Sequence, residues 1–255
     1  MAKLSSISYR SHSNKTSKLL SRLSRRKVTK KTCDEILLGT MFIKCLDKTI
    51  IDETTTHNLI INNTTVSRNL LAPNKTACME FNGINSAINI ADDGSFYIGL
   101  EDFTIDWWEY KFSLPIEQPL SSNISTKQAL FYKDSLNDKQ PYIIYNTTCK
   151  SLFMSSNGYD WDIANNKYMG TIQDNVWTHW AIVRAHTNFY TFKNGVLKNI
   201  WVSDAPVNDS NSFLTIGKGP NGNNFYGCIT NFRFVKCQAL WTDEFSPTAC
   251  ELFYQ

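Results

Sequence analysis

The stretch that decides the fold class is Phe225–Pro247, FYGCITNFRFVKCQALWTDEFSP. Gly227 stands at its third position, a hydrophobic and basic run follows, and an aromatic tail closes at Phe245 and Pro247. Such a run, ended by turn-forming residues, reads as a β-strand leading into an extended tail. Upstream, from Ile36 onward, short β-branched or aromatic runs alternate with Asn, Asp, Gly and Ser clusters. The runs at 40–46, 57–62, 78–81, 86–90, 103–112, 129–133, 142–145, 151–155, 176–185, 189–192, 196–201, 213–216 and 225–235 are expected to be strands. Asn82-Gly83 and Asn194-Gly195 mark turns. The second suits a type I′ hairpin, because both central residues need positive φ. No long amphipathic helix and no internal repeat follows residue 35. Many short strands with frequent turns imply an all-β sandwich or jelly roll.

Length and composition fit that class. A chain of 255 residues, 42% hydrophobic, 19% charged and 13% aromatic, can bury a stable core without staples. The net charge of +3 conceals an asymmetry. Ten of the 26 Lys and Arg residues fall within 1–31, which hold no Asp or Glu. The other 16 face all 23 acidic residues, a balance of about −7. A basic arm over 1–32 is thus joined to a mildly acidic body over 33–255. The arm has too few large apolar residues to offset its ordering entropy and is expected to be disordered. The seven cysteines show no C-x-x-C spacing, which argues against a zinc ribbon or a thioredoxin-type site. Reduced, buried thiols are expected; Cys228 or Cys237 bonded to Cys250 is the alternative in an oxidising compartment. No run reaches the length of a transmembrane helix. The basic start lacks the apolar core of a secretory signal, so an intracellular or virion location is expected. The Asn-x-Ser/Thr sequons, Asn62 and Asn208 among them, would then stay unmodified.

Beyond the closing strand, five landmarks fall in a recognisable order: CMEFNGINSAINI, EDFTIDWW, NVWTHWAIVR, FKNGVL and LTIG. Together with FYGCITNFRFVK and the opening IIDETTTHNLIINNTTV, they resemble the laminin-G-like jelly roll of the concanavalin A-like lectin/glucanase superfamily. The resemblance covers roughly residues 36–255. It implies a two-sheet antiparallel jelly-roll sandwich. It also implies a non-enzymatic module that binds carbohydrate or protein, of the kind found in adhesion proteins and in phage and large-virus particles. Glucanases of the superfamily imply the alternative, a glycoside hydrolase.

The residues weigh against the alternative. Glycoside hydrolysis needs two carboxylates across a sugar, typically spaced Glu-x-Asp-x-Glu on one strand face. Here Asp102 and Asp106 share one face and Glu101 and Glu109 the other. The triplet is absent, and solvated strand-end carboxylates are expected. His179 has no second histidine nearby for a metal or nucleophile and is expected to be a packed, hydrogen-bonded strand residue. Arg184 is expected to bind a neighbouring loop. Trp107, Trp108, Trp177 and Trp180 are expected in the core.

The segment 157–170, NGYDWDIANNKYMG, differs in character. It reads as a loop or hairpin tip with Tyr159, Trp161 and Tyr168 set among amides and carboxylates. Amphipathic aromatics with hydrogen-bonding neighbours suit a sugar-binding surface, so Tyr159, Trp161, Tyr168 and Asn157 are the candidate ligand contacts. Asp160 and Asp162 offer oxygens to a calcium ion but do not complete its shell. In the arm, Arg22, Arg25, Arg26, Lys27, Lys30 and Lys31 could neutralise nucleic acid phosphates, an anionic membrane or an assembly partner. The arm also has the composition of a transit peptide. A plain solvated tail is the remaining reading.

Overall fold

The computed structural model describes residues 41–73, 75, 77–114, 124–133, 141–146 and 149–247. The basic arm, Cys33 and Cys250 lie outside the described residues. Sixteen strands form two antiparallel sheets. They are β1 (Met41–Leu46), β2 (Thr49–Asp52), β3 (Leu59–Asn62), β4 (Thr65–Ser67), β5 (Cys78–Asn82), β6 (Ala87–Ile90), β7 (Phe103–Lys111) and β8 (Gln128–Lys133). They continue as β9 (Tyr142–Asn146), β10 (Cys149–Met154), β11 (Ala164–Thr171), β12 (Thr178–Ala185), β13 (Asn188–Lys193), β14 (Val196–Val202), β15 (Leu214–Ile216) and β16 (Tyr226–Lys236).

The larger sheet runs β14-β13-β12-β7-β16-β1-β2, with the β4–β5 hairpin also attached to β16. The smaller runs β11-β10-β9-β8-β15-β6-β3. The all-β, two-sheet expectation therefore holds. Three strands were not anticipated: β2, β4 and β11. Within 157–170, read as a loop or hairpin tip, the second half belongs to the edge strand β11, paired to β10.

The core lies between the sheets. From β7, alternation sends Phe103, Ile105 and Trp107 inward. Trp107 meets Phe131 of β8 edge-on at 5.2 Å, and Phe131 meets Phe232 of β16 at 5.2 Å. Such edge-to-face pairs add to what the area burial contributes.

The closing strand does two jobs. It pairs with β7 along most of its length and supplies Ile229, Phe232 and Phe234 to the core. A register shift between Thr230 and Arg233, with Asn231 at φ 50°, puts Arg233 directly opposite Asp106. Gly227 is required by proximity: a Cβ there would collide with the Tyr110 carbonyl of β7. After Lys236 the tail 237–247 turns back over the outer face of the larger sheet. Ala181, Val183 and Phe192 are buried there beneath Ala239, Trp241 and Phe245. The tail is fixed to the β13–β14 hairpin by the Phe245 N–H, which donates to the Gly195 carbonyl at 3.0 Å. Asn194 and Gly195 have φ 50° and 77°, as the type I′ expectation requires. The tail thus gives β7 and β12 cover on both faces, and their burial is nearly continuous instead of alternating.

Candidate functional site

Three clusters of chemically capable side chains stand out, and in each the groups are held by one another. On the outer face, Asp106 accepts from Arg233 Nε at 2.7 Å and Nη2 at 2.9 Å. Its Oδ2 also lies 3.1 Å from His179 Nε2. Trp241 and Phe245 stack 3.8 Å apart and both meet the His179 ring edge-on. Burial would raise the Asp106 carboxyl, but Arg233, with His179, holds it below the ordinary carboxylate range. The expected solvated carboxylate is thus a buried one, because a tail distant in sequence covers the face it points from.

Glu109 corrects the same expectation on the inner face. Lys150 Nζ of β10 lies 2.5 Å from its Oε2, and both side chains are buried between the sheets. Trp107 Nε1 donates to the same carboxylate at 3.2 Å. Lys150 also sits over the Trp107 and Trp180 rings, at 5.5 and 5.1 Å. Burial pulls the Lys150 amine down, against the opposing pull of Glu109. Asp106 and Glu109 point to opposite faces of β7, each into its own ion pair, so they cannot flank one glycosidic bond. Asp102 accepts the His186 N–H, and Glu101 is exposed beside Cys237.

The third cluster has the spacing of a Ser-His-Asp line. His57 Nδ1 lies 2.9 Å from Asp52 Oδ2, and His57 Nε2 lies 2.9 Å from Ser95 Oγ. Its surroundings are those of a latch. Asp52 also accepts the N–H groups of Phe42, Thr54 and His57 and the Thr54 hydroxyl. Asp93 competes for Nε2 at 3.5 Å. The set ties the 52–57 turn to the 92–96 loop, and the His57 ring packs on Phe96 at 5.0 Å.

The remaining sequence-based expectations divide. Arg184 donates to the carbonyls of Gly99 and His186, as expected. Trp107, Trp108 and Trp180 are buried, whereas Trp177 is half-buried at the margin against Tyr110. Cys45, Cys78 and Cys228 are buried thiols; Cys149 is half-buried and Cys237 exposed, and these five form no disulfide. Burial, with Cys78 nearby, pushes the Cys45 thiol up to about 12. A thiol so raised is a poor nucleophile.

The candidate ligand residues lie where β10 turns into β11. Asn157 Oδ1 accepts the N–H groups of Tyr159 and Asp160 at 2.7 and 2.9 Å, an Asx-type turn. Ser155 Oγ accepts the Gly158 N–H at 2.9 Å. Asp162 accepts both the N–H and the hydroxyl of Ser156. These bonds outweigh slight burial and hold the Asp162 carboxyl below its usual range. The side chains that looked like ligand donors therefore shape the turn. What the turn presents is Tyr159, which is 66% exposed.

Trp161 is half-buried against Phe153 at 5.6 Å. Tyr168 lies on β11 and is 44% exposed. Four residues separate Ala164, at the start of β11, from Tyr168, or roughly 13 Å along an extended strand. Tyr159 belongs to the turn that precedes β11 and Tyr168 to the strand itself. Between them Lys167 Nζ sits 5.4 Å from the Trp201 ring, whose Nε1 donates to the Ile163 carbonyl. Among the described residues no group of three or more His, Cys, Asp or Glu could hold a metal ion, so Asp160 and Asp162 do not make a calcium site by themselves.

The family model for the concanavalin A-like lectin/glucanases superfamily, Laminin_G_3, matches residues 82–244. The chain belongs to that superfamily. No curated protein matches it. Among solved structures it is similar to the binding domain of Paraclostridial Mosquitocidal Protein 1, with a TM-score of 0.62 and 14% identity over 84% of this chain and 51% of that one. The botulinum neurotoxin serotype G binding domain gives a TM-score of 0.60 and 13% identity, over 85% of this chain and 50% of that one. The chain therefore spans about half the length of these two domains. Domain 4 of AbnA, an extracellular GH43 arabinanase from Geobacillus stearothermophilus solved with arabinotriose, gives 0.53 and 16%, over 80% of this chain and 92% of that one. At these identities the likeness concerns the fold.

Proposed function

We propose that this protein is a non-catalytic binding module that recognises a glycan along the β10–β11 edge. The observation that carries this reading is the exposure of Tyr159 and Tyr168 on a turn and strand where the Asn157 and Asp162 side chains are already spent on holding the turn. An exposed tyrosine offers a flat apolar face for a sugar ring and a hydroxyl for a hydrogen bond. Trp161, half-buried, supports the turn. Two of the solved likenesses are named as binding domains and the third, a domain of an arabinanase, was solved in complex with arabinotriose, which is consistent with this use of the fold.

Catalysis is disfavoured by the same geometry, since Asp106 and Glu109 are each consumed in a buried ion pair. The proposal extends to the basic segment 1–31 as the anchor to a larger assembly such as a virus particle, with the body left free to bind.

The test is a glycan array probed with the full chain, followed by Tyr159→Ala and Tyr168→Ala. Binding that each variant weakens, with the unfolding midpoint unchanged, supports the reading. A chain that binds no glycan, or whose binding survives both changes, overturns it. Release of reducing sugar that disappears on Asp106→Asn would establish the glycosidase instead.

A further inference from the structure

At the opposite edge of the sandwich the larger sheet forks. The closing strand pairs with β5 through Tyr226–Ile229 and, past its register shift, with β1 through Phe232–Phe234. The two hairpins it carries, β1–β2 and β4–β5, diverge from that point. An open cavity of about 460 Å³ remains, lined by Lys48, Val66, Ser67, Arg68, Asn69 and Glu80. That volume falls within the range of about 300–1,000 Å³ typical of small-ligand sites.

The lining is polar and unspent. The side chains of Lys48, Ser67, Asn69 and Glu80 make no hydrogen bond or ion pair with another described residue. Glu80 is half-buried on the cavity wall, where its carboxylate oxygens can accept from the hydroxyls of a ligand. Arg68 is oriented by one bond, Nε to the Asp47 carbonyl at 3.3 Å. The Asp47 carboxylate stands 3.9 Å from Nη2, but it is 92% exposed and outside the cavity. Water screens that pair, and it leaves the guanidinium edge available.

We propose that this cavity binds one acidic sugar residue, a uronic acid in chemical class. Arg68 and Lys48 hold its carboxylate, the guanidinium by two parallel bonds. Glu80, Asn69 and Ser67 take its hydroxyls, while the Val66 side chain turns the other way, onto the core beside Met79, and forms only the floor of the hairpin. Two cations and one carboxylate give the lining a net charge of +1, which matches a monoanion. Glu80 disfavours sulfate and phosphate groups, whose oxygens would face a carboxylate without a proton to share. The site does not rest on the Tyr159 edge, since β11 and the β1–β2 and β4–β5 hairpins lie at opposite ends of the sheet orders.

The experiment is titration of the full chain with sodium glucuronate, followed by ligand-observed NMR. Binding with a Kd of about 1 mM is expected. Arg68→Ala and Lys48→Ala should each weaken it about tenfold, Arg68→Lys less, and Tyr159→Ala not at all. Glucose should bind at least about tenfold more weakly, and an equal concentration of sulfate should not displace glucuronate. Both alanine changes are at exposed residues, and an unchanged unfolding midpoint for either one keeps the result readable. The proposal is overturned if glucuronate does not bind, if both alanine variants bind it like the parent, or if sulfate displaces it. Glucuronate binding without recognition of any neutral glycan would retain this site and remove the edge site.

Discussion

In the closing strand Arg233 lies buried against Asp106, and in the tail beyond it Trp241 and Phe245, stacked on each other, meet His179 edge-on; in the 155–163 turn Tyr159 stands in solvent and Asn157 is spent on backbone N–H groups. Both regions carry the residue types from which sites are built. The difference is what their partners leave over. Around the closing strand, Asp106 of β7, His179 of β12 and Arg233 are bonded to one another under a covering aromatic tail, so they stabilise one arrangement and present little. The turn satisfies itself through its small polar residues and leaves its aromatic outside. A side chain's use thus follows from which of its neighbours' bonds remain unmade, more than from its type.

The largest expected effect breaks the closing-strand side. Arg233→Ala leaves Asp106 charged and buried with His179 as its main remaining partner, and should cost about 3–5 kcal/mol in urea unfolding. Glu109→Ala should cost a similar amount, about 3–5 kcal/mol, by stranding Lys150 between the sheets. A paired replacement of Asp106 and Arg233 by Leu and Met should recover much of the loss, since apolar packing can replace a buried pair. A loss below about 1 kcal/mol for Arg233→Ala would show that water reaches the pair and that the tail does not seal it.

Next in size is Gly195→Ala, which tests the tail's attachment. The position combines φ 77° with a Cβ that would collide with the Phe245 carbonyl. About 1–2 kcal/mol is expected from the backbone conformation and the displaced tail. Quenching of Trp241 fluorescence by acrylamide should rise in parallel if the tail lifts.

Acid should act on the same cluster. Asp106 is held below its ordinary value, so its contribution is fully present above the unfolded carboxylate pKa near 3.8. It is lost as pH falls through the lower folded value. Asp52, where the Thr54, Phe42 and His57 bonds overcome burial, behaves alike. The urea midpoint should therefore fall below about pH 4. The Leu/Met pair should show a shallower fall; an identical slope would assign the acid sensitivity to Asp52 and the other depressed carboxylates.

These regions also mark how far the sequence could be read. The Asn194-Gly195 hairpin was legible because its turn type demands those residues, and the strand at 103–112 because its apolar content is high. The edge strand β11 was not, since Asn165, Asn166 and Lys167 break the alternation and an edge tolerates polar residues on its exposed side. The alternation rule placed Asp106 and Glu109 on opposite faces correctly. It could not show that both faces are covered, one by residues more than a hundred positions later and the other by Lys150 from the second sheet. The aromatics of 157–170 were legible as a group but not individually. Asn157's commitment to the turn and Trp161's packing on Phe153 depend on local geometry that composition does not encode.

The smallest stability effect is expected where the functional effect should be greatest. Tyr159→Ala removes a ring that touches solvent over most of its surface, so the unfolding free energy should change by no more than about 0.5 kcal/mol. A sugar stacked on that ring should lose affinity tenfold or more, because a tenfold change needs only about 1.4 kcal/mol of lost contact. Trp161→Ala should invert the pattern, lowering stability by removing support for the turn and lowering binding only through it. A Tyr159→Phe variant separates ring from hydroxyl: retained binding assigns recognition to the apolar face, and lost binding to the hydrogen bond. If Tyr159→Ala instead destabilised the fold as much as Trp161→Ala, the turn would be framework, and the contrast with the closing strand would fail.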